Sequence, residues 1–206
     1  MYALLRHILP PPFRFFWGLK TVRKENVPLK GGYIVASNHA SHLDFFFFPC
    51  IVPHRMYYLA KKELFENPAW RLLMVSTHQI AVDRGKSDRD AFSKALEVLK
   101  RGDVLGIFPE GTRSPDGELL KGHTGVARLA LMGHAPILPV GMRGIHDILP
   151  RGARVPRLGK KAEIHIGRIK TFKHYYGCEG DRAITRKITD DIMREIGRLA
   201  GKNYGH

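Results

Sequence analysis

The stretch Tyr33-Ile34-Val35-Ala36-Ser37-Asn38-His39-Ala40-Ser41-His42-Leu43-Asp44 begins as an apolar run and turns polar at Ser37. Lys30-Gly31-Gly32 before it is a turn, so Tyr33 to Ser37 reads as a buried strand with the Asn-His stretch at its C-terminal end. Open α/β sheets place their ligands at that end of a strand. His39 and Asp44 put an imidazole and a carboxylate five residues apart in the turn that follows, where a hydrogen-bonded pair can act as a general base. Ser41 followed by Asp44 also has the form of a capping box, with Phe45 to Phe48 carrying a short helix to Pro49. Asp44 therefore has two readings, helix cap or orienting partner of His39, and His39 taken alone also fits a satisfied histidine at a strand end.

Downstream, Met56 to Leu59 reads as a strand, Glu63 to Met74 as a helix holding Trp70, and Gln79 to Val82 as a strand ending in Asp83-Arg84-Gly85. Ser87 with Asp90 is a cleaner capping box, followed by Ala91, Phe92, Ala95, Leu96, Val98 and Leu99 at helical spacing and by Gly102 as the stop. Val104 to Phe108 is then a second buried strand, ending in Pro109-Glu110-Gly111-Thr112-Arg113-Ser114. Glycine lets backbone come close to a ligand, and arginine offers a planar fork of donors suited to phosphate. Three strands thus deliver polar loops, near His39, Arg84 and Glu110. A base for a hydroxyl beside a grip for a phosphate suggests a phosphorylated alcohol as substrate.

Ser114-Pro115-Asp116-Gly117 is a turn. A helix from Thr124 to Met132 leads into a strand at Pro136 to Val140, Ala162 to Gly167 alternates as another strand, and Asp181 to Leu199 carries one apolar stripe of helical period. The alternation of strands and helices makes the fold class α/β, a single domain with a mixed, largely parallel central sheet flanked by helices. A length of 206 residues fits one such domain and is short for two.

The net charge of +15 points to an anionic partner, whether phospholipid, phosphorylated cofactor or nucleic acid. The only cysteines, Cys50 and Cys178, stand in no metal-ligand or redox spacing, so a reducing compartment is the default. No apolar run of about 18 residues is present, the length a spanning helix needs. The segment Met1 to Lys24 mixes large apolar residues with Arg6, Arg14, Lys20, Arg23 and Lys24, contains no acid, and is broken by Pro10-Pro11-Pro12. That mixture suits an element lying in a membrane interface, or an amphipathic cover for the domain's own core. Arg151 to Lys161 carries five more cations and no acid, and reads as a loop that could rest on an anionic bilayer beside the first segment.

His39-Ala40-Ser41-His42-Leu43-Asp44 resembles the His-x-x-x-x-Asp signature of the glycerolipid acyltransferases, with Asn38 before it as is frequent there. Val82-Asp83-Arg84-Gly85, Phe108-Pro109-Glu110-Gly111-Thr112-Arg113-Ser114 and Ile137-Leu138-Pro139-Val140 resemble that family's other three blocks, in order. The resemblance covers about residues 31–143 and is strongest to the 1-acylglycerol-3-phosphate acyltransferases. An acyltransferase domain is expected over residues 25–206, preceded by the membrane-associating segment over 1–24 that its own residues suggest. The resemblance implies His39 as base, Asp44 as its partner, and Arg84, Glu110, Gly111, Thr112 and Arg113 around the glycerophosphate. The implied co-substrates are an acyl thioester, as acyl-coenzyme A or acyl-carrier protein, and a lysophospholipid acceptor. No further cofactor and no metal are implied. Many relatives span the membrane at the N-terminus; here attachment is expected to be peripheral, at the cytoplasmic face.

The chemistry is arguable without the family. A thioester is already activated, and no Gly-x-Ser-x-Gly elbow is present, so the need is for a base to take the alcohol proton. A carboxylate on the far ring nitrogen would fix the tautomer, and amides at the following helix N-terminus would hold the oxyanion. Two other classes compete. A metal-dependent hydrolase would use His39, His42 and Asp44 as ligands, but no later histidine group completes the set. A nucleic-acid-binding domain suits the charge but has no recognised motif, and Asp44 and Glu110 would sit badly on a phosphate-binding face.

Overall fold

The apolar runs and the turns between them build an alternating chain of strands and helices. The computed structural model describes residues 2–77, 79–83 and 89–206. Its strands are β1 (Lys20–Val22), β2 (Tyr33–Ser37), β3 (Met56–Lys61), β4 (Ile80–Val82), β5 (Val104–Ile107), β6 (Ile137–Arg143) and β7 (Glu163–Ile166). The helices are α1 (Tyr2–Ile8), α2 (Pro10–Trp17), α3 (Asp44–Phe47), α4 (Pro68–Ser76), α5 (Arg89–Lys100), α6 (Gly125–Met132), α7 (Ile145–Ile148) and α8 (Arg182–Ala200).

The strands form one sheet in the order β1-β7-β6-β2-β5-β3-β4, with β6 and β7 antiparallel and every other neighbouring pair parallel. The expected mixed, largely parallel sheet is borne out. All five residues of β2 are buried, which only an inner strand covered on both faces allows. Alternation then sorts them. Tyr33 and Val35 join a core with Phe13, Trp17, Phe47 and Phe48 on one face. Ile34 and Ala36 join a core with α5, α6 and α8 on the other. The stripe expected on α8 is present, with Ile188, Ile192, Ile196 and Leu199 buried. Asp181 caps that helix by accepting from the amides of Ala183 and Ile184. Its C-terminal end lies so close to β6 that a Cβ on Gly141 would stand 2.3 Å from the Ala200 nitrogen.

The strand order creates the crevice. The chain leaves β2 and crosses past β5 to reach β3, whereas it leaves β5 and crosses past β2 to reach β6. The loops after β2 and β5 therefore depart in opposite directions and leave a gap between them at the strands' C-terminal ends, the topological switch point.

One expectation is corrected. The helix read over Glu63 to Met74 is instead a 3₁₀ turn, Lys62–Phe65, followed by α4. Pro68 is the reason: it disfavours helical backbone at Asn67 but is well suited to a first helical position. Asn67 becomes the cap, its side-chain oxygen accepting the Trp70 amide at 3.3 Å. The prolines of the N-terminal segment break it into two short helices as expected, and they form the first turn of α2. The cap read at Ser87 lies outside the described residues. Among the described residues no helix is long and apolar enough to cross a membrane.

Candidate active site

Strand β2 ends at Ser37, and Asn38 prolongs its pairing to β6 with a side chain in place of backbone. Its amide nitrogen donates to the Met142 carbonyl at 3.1 Å and its oxygen accepts the Met142 amide at 2.8 Å. The main chain is thereby free to turn, and His39 stands at the switch point. Its ring lies against Phe108, from the end of β5, with centroids 4.1 Å apart and planes 14° from parallel.

The His39 Nδ1 atom is 2.8 Å from Asp44 Oδ2. The same oxygen accepts the amides of Ala40 at 2.8 Å and Ser41 at 2.9 Å. Three donors converging on one fully buried oxygen require an acceptor there, so the network assigns the ring proton to Nδ1 and leaves Nε2 as the unprotonated nitrogen. Asp44 accepts the Ser41 amide as a capping-box residue does and also meets the ring, although α3 starts at Asp44 itself and its N-cap, Leu43, has no side-chain cap. The amides of Ala40, Ser41, Leu43 and Asp44 have partners inside this turn.

The loop after β5 is tied to this turn from below. Glu110 is 2 % exposed, and its carboxylate accepts the His39 amide at 2.7 Å on one oxygen and the Leu120 amide at 2.8 Å on the other. Burial pushes its carboxyl up to about 7 despite those two donors, which act the other way, with the nearby Asp44 carboxylate adding to the rise. The His39 carbonyl in turn accepts the Ser114 amide at 2.8 Å. Glu110 thus faces inward, under His39. Gly111 turns the chain with φ +67°, and a Cβ there would stand 3.0 Å from the His123 ring. Thr112 is exposed. The turn at Ser114 forms as expected, and Asp116 is held below the usual carboxylate range by the Glu118 amide and the Ser114 hydroxyl.

Two clefts meet at His39 and share it with Leu59 and Phe108. One, of about 590 Å³, runs between the sheet and α6, lined by Val82, Ile107, His123 and Val126 among others, and is largely apolar. The other, of about 730 Å³, opens past Phe45, Leu64 and Met74 and holds the polar side chains of His42, Lys61, Gln79 and Arg113. Arg113 is therefore brought to the same cleft as His39. Arg84 lies outside the described residues. Lys61 is the residue that sequence reasoning passed over, and Asn38, read there as part of the motif, has a structural task in the pairing to β6. Lys61 is the last residue of a parallel strand, and that position was the available signal. Among the described residues no three His, Cys, Asp or Glu side chains gather as a metal-binding group.

A histidine paired with a buried carboxylate thus stands at the junction of a largely apolar cleft and a more polar one that holds Arg113 and Lys61, the latter paired with Glu63 at 2.7 Å. The family model described as Acyltransferase matches residues 19–143. The chain belongs to the acyltransferase family. It is 32 % identical over 145 residues to the 1-acyl-sn-glycerol-3-phosphate acyltransferase of Bacillus subtilis, an alignment covering 70 % of this chain and 72 % of the relative. To the protein of the same name from Borreliella burgdorferi it is 34 % identical over 175 residues, covering 84 % and 69 %. The crystal structure of the 1-acyl-sn-glycerophosphate (LPA) acyltransferase PlsC from Thermotoga maritima shares the fold, with a TM-score of 0.78 over 99 % of this chain and 81 % of that one at 24 % identity. This acyltransferase is therefore an enzyme of lipid acylation, and its fold is that of a solved relative.

Proposed function

We propose that this acyltransferase moves a fatty acyl group from a thioester, either acyl-coenzyme A or acyl-carrier protein, to the free hydroxyl of 1-acylglycerol-3-phosphate, producing phosphatidic acid. The observation that carries the reading is the His39–Asp44 pair at 2.8 Å, at the junction of the two clefts. His39 Nε2 accepts the hydroxyl proton as the oxygen attacks the thioester carbonyl. Asp44 holds the tautomer and stabilises the imidazolium that forms. The proton then passes to the departing thiolate as the acyl–sulfur bond breaks. Arg113 and Lys61 meet the acceptor phosphate, with Arg84 as the further cation named by the motif. Glu110 and Gly111 serve the same site by shaping its floor, and Thr112 by its exposed position at the rim.

The acceptor is a membrane lipid, and the enzyme meets it at a membrane surface. Residues 1–24 form the attachment: Leu4, Ile8, Phe15 and Phe16 are exposed on α1 and α2, while Phe13 and Trp17 face the core. Attachment is peripheral, at the cytoplasmic face. Incubation of purified protein with glycerol-3-phosphate and a panel of lysophospholipids, using both donors and reading products by mass, tests the reading. Phosphatidic acid formed from 1-acylglycerol-3-phosphate, and lost in His39→Ala, is the expected result. A preference for glycerol-3-phosphate or another lysophospholipid would move the acceptor assignment, and product formed equally by His39→Ala would end the mechanism.

A further inference from the structure

Residues 150–161, between α7 and β7, carry Arg151, Arg154, Arg157, Lys160 and Lys161, all exposed, with no acid among them. Val155 and Leu158 stand between these cations with 74 % and 66 % of their surfaces in solvent. Among the described residues neither aliphatic side chain belongs to either core. The loop is nevertheless well anchored. At its start the Ser41 hydroxyl, from the turn that carries His39, donates to the Leu149 carbonyl at 2.9 Å. In its first turn the Arg151 guanidinium donates to the Arg113 carbonyl at 3.3 Å. Further on, the Arg157 amide donates to the Ile148 carbonyl and the Trp17 indole donates to the Arg157 carbonyl at 2.9 Å. At its end the Ala162 amide donates to the Trp17 carbonyl. The loop is thus tied both to the candidate active site and to the end of α2, next to Phe15, which is 82 % exposed.

From these contacts we infer that residues 151–161 are a second membrane-docking element, which binds the anionic head groups of a bilayer and sets the Arg113 cleft against them. The inference rests on the proposed lipid acceptor only for its purpose, since the binding itself involves no acyl transfer. Cations without acids match an anionic surface, and their long stems let the charge stay at head-group depth. Exposed Val155 and Leu158 then enter the interface, where their apolar surface leaves water. Nucleic acid would match the cations but would give no use to two aliphatic tips. Because the loop is pinned to Arg113 and to Trp17, a bilayer held by it lies beside both the cleft and α2. A lysophospholipid could then engage the cleft with its head group without first leaving the surface.

The test is sedimentation of the full chain with vesicles of phosphatidylcholine alone and of equimolar phosphatidylcholine and phosphatidylglycerol. Arg154→Gln/Arg157→Gln/Lys160→Gln should weaken partitioning to the anionic vesicles by roughly fivefold per cation, on the order of a hundredfold in all. The control removes equal charge from the opposite face of the sheet: Lys94→Gln/Lys100→Gln/Lys173→Gln, all exposed, should bind like the parent. Val155→Ser/Leu158→Ser should lose binding at least several-fold, with the loss persisting in high salt. Equal losses from both charge variants would reduce the effect to net charge and overturn the inference. So would parental binding by both loop variants, or a loop that retains an RNA homopolymer while leaving vesicle binding unchanged. Failure here leaves acyl transfer to a dispersed acceptor intact, and failure of the acceptor assignment leaves sedimentation intact, so the two are separable.

Discussion

Glu110 offers the sharpest test of how the site is held, because its expected role around the acceptor and its observed place under His39 predict different kinetics. In Glu110→Gln one side-chain oxygen still accepts an amide, but the new NH₂ group faces the other, leaving a buried donor without a partner at a cost of about 1–3 kcal/mol. Whichever amide is released, the tie between the His39 turn and Leu120 is broken on one side. Misplacing a catalytic group by ~1 Å can cost about a hundredfold in rate, so kcat should fall by roughly tenfold to a hundredfold while the acceptor KM changes little. Steady-state kinetics with varied acceptor make the measurement. A raised acceptor KM with an unchanged kcat would show that the carboxylate grips substrate, and the positioning argument would be refuted. The pH dependence gives an independent check. Burial raises the folded carboxyl from 4.5 to about 7, so the folded chain keeps a proton that the unfolded chain releases over that interval. Its contribution to stability is fully present below about 4.5 and is lost as pH rises through 7, about 3 kcal/mol in order of magnitude. Urea unfolding should show the parent losing stability relative to Glu110→Gln across that range, and parallel profiles would contradict the assignment.

Arg113→Ala should weaken use of the acceptor by roughly tenfold to a hundredfold, the scale of a charge-assisted bond of about 1.5–3 kcal/mol, and should leave the thioester KM nearly unchanged. Gly111→Ala should destabilise the fold by ~1 kcal/mol or more in urea unfolding, since φ +67° is strained for alanine and the new Cβ meets His123. His39→Ala should lose about 10²–10⁴ in turnover while thioester binding survives, whereas His42→Ala, from the same loop but off the signature, should lose far less. Phe15→Ser/Phe16→Ser, both exposed on α2, should weaken sedimentation with phosphatidylglycerol vesicles at least several-fold, and a variant that sediments like the parent would assign that segment to the core alone.

Much of this arrangement was legible because it is local. Strand β2 is a short buried run that follows a pair of glycines, and the spacing of His39 and Asp44 is a property of one turn. The alternation of strands and helices likewise forecast a largely parallel sheet without any knowledge of strand order. What escaped the sequence depends on partners far along the chain. Glu110 reads as a polar loop residue until the fold places its two oxygens on the amides of His39 and Leu120. Asn38 reads as a motif residue until it is seen replacing backbone in the pairing to Met142, 104 residues away. The helix misread over Glu63 to Met74 had a local cause, since its apolar spacing ran across Pro68 and outweighed the constraint that proline puts on Asn67. Lys61 was missed because the meaning of a cation at a strand end depends on which strand ends lie beside it.

The spacing of the motif itself has a physical reason in this structure. A carboxylate orients an imidazole well only if it is itself fixed, and Asp44 is fixed by the chain it stands on. Being at the first residue of α3, it lies where the preceding turn points its amides, and Oδ2 collects those of Ala40 and Ser41 before it reaches the ring. A shorter spacing would remove one of these donors from the turn, and a longer one would carry the carboxylate into the helix and away from the ring. The hydrogen bonds that close the turn before α3 are therefore also the means by which the base is oriented. Asp44→Asn separates the two contributions. The asparagine oxygen still accepts the two amides, but its NH₂ takes the place of Oδ1, a buried atom with no hydrogen-bond partner among the described residues, so stability should fall by about 1–3 kcal/mol. Its neutral amide cannot stabilise an imidazolium, and turnover should fall by about a hundredfold or more, toward the ~10⁴ known for the equivalent change in serine-protease triads. A stable Asn variant with parental kcat would leave Asp44 as a cap and nothing else, and His39 would have to act without it.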